Sequence, residues 1–279
     1  MKNVLSIDVE DYFHVAALSE TIKVNEWSQI SPRVVGNTRR LLDLFDKHNV
    51  KATHFVLGWV AERFPDLVKE IDARGHEVAS HGYSHQLVYN QTPEVFYSET
   101  VRSKEILENI LGKTVTGYRA ASYSITKKSL WALDILHDLG FKYDSSIFPI
   151  RHDRYGIADA EPLPHMLKTP KGNHLVEFPL TTSSILGIKM PAAGGGYFRL
   201  YPYAISKYLL KKVEKQNKPI VFYLHPWEID YKQPRVKASP LSTFRHYNNL
   251  NKCENRLERL LADFSFTTMF TSLEEQKLI

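Results

Sequence analysis

The sequence predicts an α/β fold: a distorted (β/α)7-type barrel with loop insertions and a C-terminal helical and strand extension. Three observations predict it. Short apolar runs alternate with stretches of helical periodicity about seven times, the pattern of a parallel sheet. That many strand–helix units in one chain favour a nearly closed barrel over an open sheet. No linker divides the 279 residues, so the whole chain, 1–279, reads as one domain.

The elements follow in order. Val4–Ile7 is a strand entering an acidic turn, and Val34–His48 has apolar residues at helical spacing. Thr53–Leu57 is a second strand, and Val60–Arg74 a helix stopped by Gly75. Glu77–Ser80 is a third strand. Pro93, after Thr92, opens a helix that Gly112 closes. Thr116–Arg119 is a fourth strand, and Thr126 an N-cap for a helix to Leu139, ended by Gly140. Tyr143–Ile147, Leu175–Pro179 and Ile220–His225 read as three more strands. Residues 162–170 and 190–202 read as loop-rich insertions, and Gly194-Gly195-Gly196 as a turn or a close backbone approach. Residues 226–247 read as polar loop, Asn251–Phe264 as a helix and Phe266–Phe270 as a last strand.

Composition excludes several classes. Apolar residues at 43% and charged residues at 24% rule out a disordered chain, and the single cysteine, Cys253, rules out a disulfide scaffold. No apolar run approaches the ~18 residues that span a bilayer. The start, Met1–Phe13, meets acids after about five apolar residues, short of the roughly 7–15 of a secretory signal, so the cytoplasm is the expected compartment. The charge is +5, and residues 201–279 carry all of the excess, 13 basic against 8 acidic. This lacks the dense basic stripe of a nucleic-acid binder. It reads as a solvated face, or as attraction to an anionic ligand, a membrane surface or a lipid-linked glycan.

In a parallel barrel, catalytic groups sit where strands end. Five predicted strand ends here carry ionisable groups: Asp8, Glu10 and Asp11; His81 with His85; Arg119; Asp144; and His225. With 12 histidines, about half a His-x3-His pair is expected by chance, so the spacing of His81 and His85 carries weight only in this company. Two histidines and a carboxylate would grip one divalent ion and leave positions open. Three acids in four residues after a buried strand are costly without a cation. Arg119 suits a role in holding a carboxylate ionised and oriented, and His225, held protonated with help from Asp144, suits a general acid.

These residues resemble the polysaccharide deacetylases of the NodB-homology type, carbohydrate esterase family 4. The resemblance rests on Leu5-Ser6-Ile7-Asp8-Val9-Glu10-Asp11, Ser80-His81-Gly82-Tyr83-Ser84-His85, Gly117-Tyr118-Arg119-Ala120-Ala121-Ser122-Tyr123, Tyr143-Asp144-Ser145-Ser146 and Phe222-Tyr223-Leu224-His225-Pro226, in family order over roughly 3–230. Further segments, among them 144–156, Gly195–Arg199, His225–Asp230 and Arg245–Leu250, are similar to the deacetylases of exopolysaccharide clusters associated with exosortase systems. The resemblance implies a metal-dependent N-deacetylase of an N-acetylated amino sugar, in a polysaccharide or its lipid-linked precursor. Zinc is the first expectation for the metal; cobalt, nickel and manganese also fit nitrogen and oxygen ligands. Asp8 would be the base, Arg119 its orienting partner, His225 the acid tuned by Asp144, and a backbone N–H near Ser122 the oxyanion donor.

Two departures from the family stand out. The usual adjacent acid pair is Asp8-Val9-Glu10-Asp11 here, which leaves Glu10 or Asp11 as the metal carboxylate. Period-two alternation on an extended segment puts Asp8 and Glu10 on one side. The family's third motif normally has a proline near the position of Ala121, and this sequence has alanine. Candidate sugar contacts are Tyr12, Phe13, Ser122, Tyr123, Tyr197, Phe198, Arg199 and Trp227, and the polar cluster Arg151-His152-Asp153-Arg154 would meet substrate or cap the rim. The competing readings are another amidohydrolase (allantoinase-like, or a formamido-sugar deformylase) and a non-catalytic sugar-binding module.

Overall fold

A computed structural model describes residues 2–152, 155–185 and 188–279. The chain runs β1 (Asn3–Val9), α1 (Val34–Lys47), β2 (Thr53–Val56), α2 (Gly58–Arg63), α3 (Pro65–Ala73), β3 (Glu77–Ser80), α4 (Pro93–Leu111), β4 (Gly117–Tyr118), α5 (Trp131–Asp138) and β5 (Tyr143–Asp144). It continues with β6 (His165–Lys168), β7 (His174–Glu177), β8 (Thr182–Ile185), β9 (Ile188–Pro191), α6 (Gly195–Leu200), α7 (Tyr203–Glu214) and β10 (Val221–Leu224). It ends with α8 (Pro240–Tyr247), α9 (Leu250–Asp263), β11 (Phe266–Thr267) and α10 (Met269–Glu275).

The main sheet has nine strands, in the order β10-β1-β2-β3-β4-β5-β7-β6, with β11 added beside β1. Every neighbour pair from β10 to β7 is parallel. The expected distorted α/β barrel is therefore present as a curled, open half-barrel. Its edge, β6, pairs antiparallel with β7. Where a last ladder would close the barrel there are irregular contacts: Tyr223 N–H donates to Ala193 O, and Val221 N–H to Thr181 Oγ1. The glycine run at 194–196 makes this approach. A Cβ on Gly194 would lie 2.0 Å from Tyr223 O, so only glycine fits.

Most predicted elements form for the expected reasons. Thr92 caps α4 through Val95 N–H, and Gly112 ends it at φ 66°. Leu41, Leu42 and Phe45 of α1 are fully buried against the sheet. Four expectations are corrected. The helix 60–74 is two helices, because Pro65 pushes Phe64 out of helical geometry, to φ −131°. The helix after Thr126 starts only at Trp131. The last strand stops at Thr267, because Thr268 caps a helix through Thr271 N–H. The loops at 162–170, 190–202 and 226–247 contain β6, α6 and α8. No helix among the described residues is long and apolar enough to cross a membrane.

Candidate active site

The parallel strands share one direction, so their C-terminal ends form one rim. Asp8 lies in β1, and Glu10 follows its last residue; His81 follows β3, Arg119 follows β4 and His225 follows β10. All five are buried or nearly so, and they converge.

Glu10, His81 and His85 offer three ligand atoms within 4.8 Å of one another. His81 Nδ1 lies 2.8 Å from Arg119 O, to which it donates, leaving the Nε2 lone pair directed elsewhere. Buried His81 Nε2 and Glu10 Oε2 have no hydrogen-bond partner, although Glu10 Oε2 is 2.8 Å from His85 Nε2. Buried polar atoms rarely go unpaired, and an orphaned imidazole nitrogen beside a buried carboxylate fits a cation. Burial drives the His81 pKa down to about 4, so the ring is neutral near pH 7, as a ligand must be. Burial opposes ionisation of Glu10, but the imidazoles of His85, His225 and His81 outweigh it and hold the carboxyl well below its usual range.

Asp11 is corrected as a metal candidate. Its carboxylate accepts from the backbone N–H groups of Tyr12, Arg33 and Val34, which spends it on the start of α1. Asp8 and Glu10 do share a side, since His225 Nε2 is 3.8 Å from Asp8 Oδ2 and 3.6 Å from Glu10 Oε1.

Asp8 is gripped from behind. Arg119 Nη1 lies 2.7 Å from Asp8 Oδ1 and 2.9 Å from Ser6 Oγ. Its other nitrogens donate to Ser145 O and Ser145 Oγ, and its guanidinium sits 4.1 Å over the Phe55 ring. A fully buried guanidinium with every partner in place is rigid.

The largest correction concerns His225. The carboxylate on its Nδ1 is Glu228, at 2.7 Å, and not Asp144. Asp144 instead accepts from Ser146 Oγ and lies beside Glu177, and burial pushes both acids up, Asp144 to about 6. Glu228 also accepts from His225 N–H, and Glu228 N–H returns a bond to His225 O. This is a reciprocal cap: His225, Pro226 in the first position, then Glu three residues after the cap. Burial opposes protonation of His225, but the hydrogen bond to Glu228 and the charges of Glu10, Glu228 and Asp8 prevail, raising its pKa to about 9. Glu228, opposed by burial but facing Arg199 and His225, is held near 2.

Arg199 and Trp227 are likewise corrected as sugar contacts. Arg199 is 2% exposed; its Nε bonds Glu228 Oε2 at 2.5 Å, and its remaining nitrogens meet the carbonyls of Arg245, His246 and Asn248. Trp227 is buried; its Nε1 donates to Glu10 Oε1 at 3.1 Å, and its ring lies between those of His225 and His246. Tyr123 is buried with its hydroxyl 3.4 Å from Asp8 Oδ2, so it backs the acid and presents no ring to the rim. Tyr12, Phe13 and Phe198 are core; Tyr197 is half-buried. Ser122 is half-buried in a strained turn at φ 50°, next to Tyr123 at φ 55°. His152 stacks on Tyr155 at 3.8 Å, and Arg151 is exposed, while Asp153 and Arg154 lie outside the described residues.

Residues 30–143 match the polysaccharide deacetylase family. Residues 145–274 match a domain of unknown function (DUF3473), which marks the exopolysaccharide-associated branch. The chain thus carries a polysaccharide deacetylase domain over residues 30–143, joined to DUF3473. Among curated relatives, it is 35% identical over 98 residues to a peptidoglycan-N-acetylglucosamine deacetylase of Bacillus cereus, covering 35% of this chain and 36% of that protein. It is 36% identical over 108 residues to a peptidoglycan deacetylase of Helicobacter pylori, covering 39% and 36%. The chain thus spans about a third of the length of those relatives. In fold it is similar to a candidate polysaccharide deacetylase from Mycobacterium smegmatis, at TM-score 0.66 and 20% identity, covering 100% of this chain and 92% of that one. It is also similar to a PuuE allantoinase, at TM-score 0.60 and 16% identity, covering 97% and 88%. The rim crosses the two matched segments: His81, His85 and Arg119 lie in the first, and Arg199, His225 and Glu228 in the second.

Proposed function

We propose that this chain, acting as one catalytic unit, is a metal-dependent N-deacetylase of an N-acetylated amino sugar in a polysaccharide or its precursor. One observation carries the reading. A three-ligand cluster with orphaned donor atoms lies beside an Arg-held carboxylate and a Glu-held histidine. The named activities of the relatives, on peptidoglycan and, in a Bradyrhizobium protein 28% identical over 99 residues, on chitooligosaccharide, support the same substrate class.

Glu10, His81 and His85 would hold the ion. A divalent cation there supplies Lewis acidity, polarising the amide carbonyl and lowering the pKa of an attacking water toward ~7. The remaining work belongs to the protein. Asp8 takes the proton of the water as it attacks the carbonyl carbon. Arg119 holds Asp8 Oδ1 and so fixes which oxygen faces outward. The backbone N–H at Ser122 donates to the developing oxyanion. His225, opposite Asp8, gives its proton to the departing amine, and acetate and a free amino sugar leave. Glu228 keeps the His225 ring oriented with Nε2 toward Asp8, and Arg199 keeps Glu228 in place.

Acetate release from N-acetylglucosamine oligomers by the metal-loaded protein tests this. Stoichiometric acetate and free amine are expected. Release of formate from a formamido sugar, hydrolysis of a cyclic ureide, or sugar binding without turnover after metal loading would each replace the reading.

A further inference from the structure

Helix α8 is built inside out. Its buried residues are Ser242, His246 and Tyr247, while Leu241 and Phe244, one turn apart, are 56% and 54% exposed. A helix at a protein surface normally turns such residues inward. The inward His246 is committed: it stacks on Trp227 and bonds Gln233 Oε1, which fixes the outward face.

The segment before α8 lies against it. Tyr247 hydroxyl accepts from Val236 N–H and donates to Pro234 O, and the Arg235 guanidinium covers the Tyr247 ring at 4.2 Å. That segment adds Tyr231, 53% exposed, with the Lys232 ammonium over its ring. Between Tyr231 and Cys253 the chain has five Lys or Arg residues and no Asp or Glu. Lys232, Arg235, Lys237 and Arg245 are all exposed, and none joins an ion pair among the described residues. Elsewhere in the same third of the chain, Lys207 and Lys211 pair with Asp263 and Glu214.

We propose that this face, with Leu241, Phe244 and Tyr231 set among Lys232, Arg235, Lys237 and Arg245, docks on an anionic lipid bilayer surface. Apolar side chains enter the interface while unpaired cations meet lipid phosphates, the arrangement of a peripheral helix. A soluble polyanion would use the cations but would have no use for Leu241 and Phe244. Docking here sets the rim beside the membrane, because His246 of α8 stacks on Trp227, which in turn stacks on His225. The inference does not depend on the reaction proposed above.

Co-sedimentation of the full chain with vesicles tests it. Binding is expected to vesicles of equal parts phosphatidylglycerol and phosphatidylcholine, weakened by salt, and not to phosphatidylcholine alone. Neutralising Lys232 or Lys237 to Gln should lower partitioning about fivefold each. The Leu241→Ser, Phe244→Ser double variant should lose binding while keeping its thermal midpoint and its turnover of a soluble saccharide. Equal binding to both vesicle types, absence of binding to either, or full binding by the double variant would overturn the proposal. So would a concentration-dependent dimer that the double variant dissolves without any vesicle binding, since the occupant would then be a second copy.

Discussion

Two buried histidine pairs lie near opposite ends of β3 and look alike. The rings of His81 and His85 are 5.2 Å apart, and those of His54 and His76 are 4.9 Å apart. Burial depresses the pKa of His81 and His76 alike, each to about 4. Their surroundings differ. The first pair lies at the strand ends with Glu10 between it and His225, and with Arg119 O fixing one ring nitrogen. The second lies beneath α1 against Phe45; His76 Nδ1 accepts from Ala52 N–H, and both nitrogens of His54 are orphaned with no carboxylate beside them. Two close imidazoles therefore do not make a metal site. A convergent carboxylate, one nitrogen locked as a donor and a place on the rim do.

The comparison can be broken most directly by exchange. His81→Ala or His85→Ala should abolish metal retention and turnover, while His54→Phe should leave both intact. Metal content and acetate release on the same preparations check it, and equal losses from both pairs would erase the distinction. Next in size, Asp8→Asn should retain the metal and lose roughly 10²- to 10⁴-fold in kcat. Metal loss in that variant would make Asp8 a ligand instead.

A third prediction separates two buried carboxyls. Glu228→Gln should lower kcat by roughly 10- to 10²-fold with KM little changed, because His225 loses its orienting charge; Glu228→Asp should recover part of it. Asp144→Asn should stay within about threefold of the unaltered chain, since its carboxyl faces Ser146 and Glu177. The opposite ranking would return His225 to Asp144.

The smallest effect is on acid stability. In the folded protein His54 and His76 titrate below their ordinary value of 6.5, His76 at about 4. The unfolded chain takes up these protons first, so their contribution to stability is present above pH 6.5 and is lost as pH falls toward 4. Each unit of depression is worth about 1.4 kcal/mol once pH is below the folded value. Thermal midpoints of His54→Phe across this window should fall less steeply than those of the unaltered protein. Parallel curves would mean that His54 is not buried neutral.

The strand–helix order, and the gathering of Asp8, Glu10, His81, His85, Arg119 and His225 on one rim, were legible because periodicity and strand ends are local. So was the shared side of Asp8 and Glu10. The choice between Glu10 and Asp11 was open because it turns on Asp11 meeting the start of α1, a contact between residues 22 and 23 positions apart. The partner of His225 was readable in principle: His-Pro-Trp-Glu has the cap, the first-turn proline and the acid three residues on. It was missed because residues 226–247 read as polar loop. Arg199 was unreadable, since its burial depends on carbonyls 46–49 residues away closing around it. The aromatic candidates failed for a general reason: ring size fills cores as readily as it builds sugar floors.

The central claim is one open-sided cation on Glu10, His81 and His85. Equilibrium dialysis against zinc or cobalt, followed by metal analysis of the unaltered chain and of His81→Ala, tests it most directly. The account predicts one ion per chain, lost in the variant. An unaltered chain that holds no ion, or a variant that still holds one, would contradict it.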